Sequence, residues 1–214
     1  MKIYGISGLG ANERVFDQVN TFLDEPITYV PWITPKPKES LASYAQRLAG
    51  GLDTDEPFAL VGLSFGGMLA CEMSKHIDPE TIIIISSAAC RSELPSYFRR
   101  IGSLNLVPYI PAQLMQLPLP LLDAVMNLKR QESKDLIHEI AHQTDRAFVK
   151  WAVQAILTWD NEDVPSNLKR IHGKADRVLP LKVDADDLLD GGHMVIIDEP
   201  EKVARLIQKE LTPA

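Results

Sequence analysis

Cysteine is scarce in this sequence: Cys71 and Cys90 are the only two in 214 residues, and neither belongs to a C-x-x-C pair. That excludes a disulfide framework, a thiolate zinc site and a thioredoxin-type redox pair. Free thiols point to a reducing cytoplasm as the compartment. Runs of positive charge are missing too: Arg99-Arg100 and Lys129-Arg130 are isolated pairs, and the formal net charge is −7. An acidic surface repels phosphate backbones, which argues against nucleic acid as a partner. No apolar stretch reaches the roughly 20 residues that cross a bilayer. The start, Met1-Lys2-Ile3-Tyr4-Gly5-Ile6, lacks the apolar core and cleavage site of a signal peptide. The stretch Gly5-Ile6-Ser7-Gly8-Leu9-Gly10 fails the G-x-G-x-x-G pattern, so a dinucleotide site has no fingerprint to rest on.

What is present suits one globular domain, or one domain with a sizeable insertion: 45% of residues are hydrophobic and 24% charged. Short β-branched runs at 2–7, 27–32, 58–63, 81–87 and 168–172 predict strands, with 184–189 as a further one. Ile82-Ile83-Ile84-Ile85 is apolar on both faces, as in a strand covered by helices on either side. Between the runs, 12–23, 40–52 and 65–77 are apolar at every third or fourth position, and 200–211 closes the chain as a helix with Pro200 in its first turn. This alternation predicts an α/β fold with a mostly parallel sheet flanked by helices. Residues 91–164 break the rhythm. They offer no strand, carry Pro95, Pro108, Pro111, Pro118 and Pro120, and read as helices at 96–104, 119–129, 134–143 and 146–159. The expected organisation is therefore a core of residues 1–90 and 165–214 with a helical lid, 91–164, inserted in it.

The strongest chemical signal is Gly62-Leu63-Ser64-Phe65-Gly66-Gly67, which follows an apolar run and opens an amphipathic one. G-x-S-x-G at a strand-to-helix turn is a nucleophile elbow, whose small flanking residues let the backbone turn sharply and expose the serine hydroxyl. A serine attacks only when a base takes its proton, and the base needs an orienting acid. Asp176 stands just beyond the strand at 168–172, and His193 lies in the Gly-rich turn Asp190-Gly191-Gly192-His193. His76, His138, His142 and His172 suit packing or surface roles better, because each falls in or at the end of a strand or helix. Asp184, Asp186, Asp187 and Asp190 also precede His193 and remain alternatives for the acid. Asp176 is preferred at the carboxyl edge of the sheet, where open α/β sheets meet their ligands. The link from Asp176 to the next strand is short for a parallel crossover, so its helix is expected to shrink to a turn. An oxyanion hole needs two backbone N–H groups. Phe65, after the serine, supplies one, and Leu9 in Ser7-Gly8-Leu9-Gly10 is the expected second.

Together the loop 7–10, the elbow 62–67, the stretch 172–180 and the turn 191–193 resemble the α/β-hydrolase superfamily, in its small lidded esterase-like form. The resemblance spans nearly the whole chain. It implies Ser64 as nucleophile, Asp176 as acid, His193 as base, and Leu9 and Phe65 as oxyanion donors. It also implies a sheet of about six parallel strands without the family's leading antiparallel hairpin. Members often carry His-Gly where this chain has Ser7-Gly8. A serine at the elbow argues against the dehalogenase and epoxide-hydrolase branches, which place an aspartate there.

These residues lead to a serine hydrolase that cleaves a carboxylic ester of modest, partly apolar size through an acyl-enzyme, with no metal or organic cofactor. Thioester and C–C bond hydrolysis use the same machinery, and a non-catalytic small-molecule receptor on this fold is the alternative of another class. A competing motif is His138-Glu139-Ile140-Ala141-His142, a literal H-E-x-x-H that would make a zinc peptidase. It lacks the H-x-x-G-x-x-H continuation, and Glu162 is the only downstream acid at a plausible distance for a third ligand.

Overall fold

A computed structural model describes residues 1–104, 106–115 and 117–212, with Arg99 by its backbone alone. Residues 105, 116, 213 and 214 of the expected lid and core segments lie outside the described residues. The β-branched runs form six strands: β1 (Lys2–Ile6), β2 (Ile27–Tyr29), β3 (Phe58–Leu63), β4 (Thr81–Ile85), β5 (Leu168–Gly173) and β6 (Asp187–Leu189). They make one sheet in the order β2-β1-β3-β4-β5-β6, and all five pairings are parallel. The chain starts at β1, steps outward to β2, then returns past β1 to β3 and continues the other way. The order therefore reverses between β1 and β3, and a crevice opens at their carboxyl ends.

Period-two alternation along each strand divides the core in two. Tyr4, Ile6, Leu60, Ile82 and Ile84 face α2 (Leu41–Ala49), α3 (Phe65–Met73) and α7 (Arg146–Leu157). Ile3, Val61, Leu63, Ile83 and Ile85 face α1 (Asp17–Asn20), α6 (Gln131–Gln143), α8 (Val195–Asp198) and α9 (Pro200–Leu211). Every residue of β3 and β4 is buried, which is what parallel central strands with helices on both faces require.

Several elements are shorter than their sequence patterns. The strand expected over 27–32 ends at Tyr29, and Val30 N–H makes a last bond to the Gly5 carbonyl at 2.9 Å before Pro31. The strand expected over 81–87 ends at Ile85, and Ser86 turns into the left-handed region at φ 48°. The helix expected over 12–23 is a 3-10 turn, Glu13–Phe16, capped by the Asn12 side chain and followed by the single turn α1. The helix expected over 65–77 stops at Met73, and His76 sits in the turn after it. Only Asp187–Leu189 of the 184–189 run pairs in the sheet, and residues 174–186 hold no helix, in line with the short crossover.

Between β4 and β5 lie α4 (Ser96–Ser103), α5 (Leu119–Met126), α6 and α7, with no strand among the described residues. α7 is held to the core by an aromatic cluster. Phe148 lies 5.0 Å from the Trp32 ring and 6.3 Å from the Tyr44 ring, and Trp151 lies 4.4 Å from Tyr44. The Trp151 indole also donates to the Glu39 carbonyl at 2.9 Å, and the buried Trp159 indole to Glu72 Oε1 at 2.6 Å. Aromatic pairs add to the burial of their own area. Replacing the buried Phe148 by alanine is therefore expected to cost about 3–5 kcal/mol in urea unfolding. Phe22→Ala, at a residue 45% exposed, should stay within about 0.5 kcal/mol.

Candidate active site

β3 delivers Ser64 to the carboxyl edge of the sheet, and α3 begins on the next residue. The turn between them is so tight that Ser64 adopts φ 51° and ψ −117°, a conformation that costs an L-residue about 1–3 kcal/mol. Three contacts hold it there: Ser64 N–H donates to the Ile85 carbonyl at 2.9 Å, and the Ser64 carbonyl accepts from Gly67 N–H at 2.9 Å and Ser87 Oγ at 2.6 Å. Gly66 makes the turn possible, because a Cβ at that position would collide with the Ile6 and Ser7 carbonyls at the end of β1. The Ser64 hydroxyl oxygen accepts no capping bond from α3, and its hydrogen is donated across the crevice.

The acceptor is His193. Its Nε2 lies 2.8 Å from Ser64 Oγ, and its Nδ1 lies 2.8 Å from Asp176 Oδ2. The pairing assigns the tautomer: Nδ1–H donates to the carboxylate and Nε2 accepts from the serine. The other Asp176 oxygen accepts from Val178 N–H at 2.8 Å and Leu179 N–H at 3.0 Å. Asp176 and His193 are both buried. Their loops are tied together where Ala175 N–H donates to the Gly191 carbonyl at 2.9 Å, and His193 N–H donates to the Met126 carbonyl of α5 at 3.0 Å. Residues 129 positions apart in the chain are thus brought within one hydrogen bond.

Burial alone would raise the Asp176 pKa. Hydrogen bonds from His172 and His193, the field of His193 and the Leu179 N–H outweigh it and hold the carboxyl far below the usual carboxylate range. His172 is the residue that sequence reasoning left to packing. Its Nε2 donates to the Leu179 carbonyl at 2.9 Å and lies 3.3 Å from Asp176 Oδ2. The spacing of four between His172 and Asp176, across the end of β5, was the available signal.

The loop after β1 lies alongside. Ser7 Oγ donates to the Ala11 carbonyl at 2.8 Å, the Trp32 indole donates to that carbonyl at 2.7 Å, and Ala11 N–H donates back to the Gly8 carbonyl at 2.9 Å. The Thr144 hydroxyl, between α6 and α7, lies 2.7 Å from the Gly10 carbonyl and 2.8 Å from the Ile140 carbonyl, and its one hydrogen is shared between them. Gly10 adopts φ 70°, and a Cβ there would strike the Thr144 methyl group. As the first residue of α3, Phe65 has no intrahelical acceptor for its N–H, and the Leu9 N–H takes no backbone acceptor among the described residues. Leu9, Ser64, Phe65 and His193 line one cavity of about 460 Å³. Its remaining walls are mostly apolar and include Met68, Phe98, Leu122, Val149 and Val153. The volume is that of a small-molecule site.

The family model described as the alpha/beta hydrolase family matches residues 15–206. The chain belongs to that family. No curated protein matches the sequence of this hydrolase-family chain. Among solved structures it is similar to a lipase-esterase related protein from Clostridium acetobutylicum, at 17% identity and TM-score 0.69 over 97% of this chain and 93% of that one. It is also similar to a thermophilic esterase from Thermogutta terrifontis, at 14% identity and TM-score 0.67 over 99% and 89% of the two chains. A third is a meta-cleavage product hydrolase from Pseudomonas fluorescens, at 19% identity and TM-score 0.64 over 99% and 90%. At these identities the likeness is one of fold.

Two of the H-E-x-x-H side chains in α6 of this α/β hydrolase, His138 and Glu139, are engaged elsewhere. His138 Nε2 is 2.7 Å from Asp123 Oδ1, Glu139 pairs with Arg14 at 2.8 Å, and Glu162 Oε2 accepts from Ser92 N–H at 3.2 Å. Among the described residues no group of three or more His, Cys, Asp or Glu could hold a metal ion.

The Asp176 network has a sign in pH. A carboxyl whose folded-state pKa is depressed contributes stability that is present above its unfolded value, about 3.9, and is lost as pH falls through the folded value. Wild-type unfolding free energy should therefore drop more steeply below about pH 4 than that of Asp176→Asn. Urea midpoints across an acid pH series check this, and parallel slopes would contradict it.

Proposed function

We propose that the protein is a serine hydrolase that cleaves a carboxylic ester of a small, partly apolar molecule. The observation that carries this reading is the chain of two 2.8 Å hydrogen bonds from Ser64 Oγ through the His193 ring to Asp176. His193 Nε2 takes the hydroxyl proton as Oγ attacks the ester carbonyl, and Asp176 keeps the ring in the tautomer that can accept it. The low pKa of Asp176 means that it stays ionised and stabilises the imidazolium that forms. The N–H groups of Leu9 and Phe65 face the developing oxyanion. The imidazolium returns its proton to the departing alcohol. Water then enters, loses a proton to His193 and releases the acid, which regenerates Ser64. Each step uses this chain's own side chains and backbone N–H groups, with no role for a metal or organic cofactor.

In this reading the helices of residues 91–164 are a lid over the apolar cavity, and the partner is a small acyl compound. One observation supports a cytoplasmic setting: both cysteines are free thiols. No helix among the described residues is long and apolar enough to cross a membrane.

A fluorophosphonate probe should label Ser64, as read by peptide mass, and Ser64→Ala should lose both label and p-nitrophenyl ester turnover while keeping its far-UV circular dichroism. Turnover retained by Ser64→Ala would refute the assignment, and a labelled protein with negligible turnover would favour the receptor reading. Asp176→Asn should lower kcat by about 10⁴-fold, because the amide donates to Nδ1 and forces the tautomer that cannot accept the serine proton.

Thr144 positions the loop that carries Leu9 without touching the reacting atoms. Thr144→Val keeps the shape and removes the hydroxyl, and a small displacement of an oxyanion donor is costly in the transition state. The expected result is a kcat lower by about tenfold to a hundredfold at nearly constant KM, with rescue by Thr144→Ser. Equal loss in the serine and valine variants would assign Thr144 to packing alone.

A further inference from the structure

Among its described lining residues, the cavity beside Ser64 carries one permanent charge that acyl transfer leaves unused. α7 lines the cavity with Arg146, Val149, Val153 and Ile156, spaced by three, four and three residues along one helical stripe. The last three are aliphatic and the first is a cation. Arg146 is exposed, and no ion pair or side-chain hydrogen bond engages it among the described residues. By contrast Arg14, Arg47, Arg130, Arg170 and Arg205 are each paired with a glutamate. The acids nearest in sequence are committed: Asp145 caps α7 through Ala147 N–H at 2.8 Å, and Glu139 holds Arg14. A cation in the first turn works against the helix dipole, so helix stability does not account for Arg146.

Its place along the stripe gives the charge a direction. Thr144, two residues earlier, bonds to Gly10 in the loop that carries Leu9, so Arg146 stands at the ester end of the cavity. Ile156 lies about 15 Å further along the helix axis, where α4 packs on α7 and Phe98 joins the cavity wall. The interior thus runs from a cationic mouth beside the acyl-transfer groups to an aliphatic far end.

Building on the Ser64 acyl-transfer reading, we propose that the substrate is an acyl ester of an anionic alcohol. Its apolar acyl chain lies along Val149, Val153 and Ile156, and a carboxylate or phosphate on the alcohol side meets the Arg146 guanidinium at the mouth. The fork of the guanidinium matches both anions. Ser64 Oγ forms the new bond to the acyl carbon as the bond from that carbon to the alcohol oxygen breaks. The serine proton passes through His193 to the departing alcohol, and water later releases the fatty acid. The anion keeps its charge throughout, so Arg146 binds ground state and transition state alike and acts on KM.

The test compares wild type with Arg146→Gln on 4-(octanoyloxy)benzoate, on 4-(octanoyloxy)phenyl phosphate and on the neutral 4-(octanoyloxy)benzamide. For at least one anion, the kcat/KM ratio of anionic to neutral ester should fall about tenfold in the variant, through KM. Added salt should erode the wild-type preference. The anion whose ratio falls further identifies the source chemistry. An unchanged ratio for both anions overturns the proposal. Fluorophosphonate labelling separates the two failures: a labelled Ser64 with an unchanged ratio removes only this inference, whereas an unlabelled, inactive wild type removes the acyl-transfer reading and this inference with it.

Discussion

Ser64 occupies a backbone conformation that no free serine would choose, and the surrounding fold is arranged to hold it there. The elbow needs β1, β3 and β4 side by side, because the Gly66 backbone rides against the end of β1 and the Ser64 N–H is bonded to the end of β4. It also needs Ser87, from the segment after β4, to fasten the Ser64 carbonyl at 2.6 Å. Strain at one residue, about 1–3 kcal/mol, is sustained by the burial of three central strands. The return on that strain is a hydroxyl projected into the crevice where the strand order reverses.

The polar and apolar parts of the cavity are segregated by the elements that supply them. The sheet edge contributes the polar groups of the proposed chemistry: Ser64, His193, Asp176 and the N–H groups of Leu9 and Phe65. The helices between β4 and β5 contribute the aliphatic walls, with Arg146 as the permanent charge among the described lining residues. This arrangement keeps the electrostatics of the site in a low-dielectric setting, where a hydrogen bond or an ion is worth more than in water.

The two parts are nevertheless coupled. Thr144 bonds to Gly10, the Met126 carbonyl of α5 accepts from His193 N–H, and the Asn127 amide donates to the Ala175 carbonyl at 3.2 Å. A shift of the helical segment against the sheet would therefore be felt at the loops of Leu9, His193 and Asp176 together. Phe148 and Trp151, stacked with Trp32 and Tyr44, set the position from which those bonds reach.

Much of this was legible in the residues alone. The apolar runs named the six strands, and the glycines around Ser64 named the elbow, because side-chain period and steric room are local properties of a chain. The proposed acid was legible only as a preference over Asp184, Asp186, Asp187 and Asp190. Tertiary structure brings Asp176 within 2.8 Å of His193 and leaves Asp184, Asp186 and Asp190 exposed at the sheet rim. The grip of Thr144 on Gly10 and the unpaired charge of Arg146 were invisible in the sequence, and the contact of His172 with Asp176 was hinted at only by their spacing of four. Each joins residues that the chain order separates or leaves unrelated, and which of them meet is fixed only when helices pack on a sheet. Local pattern determines what an element is, whereas packing determines what its side chains touch.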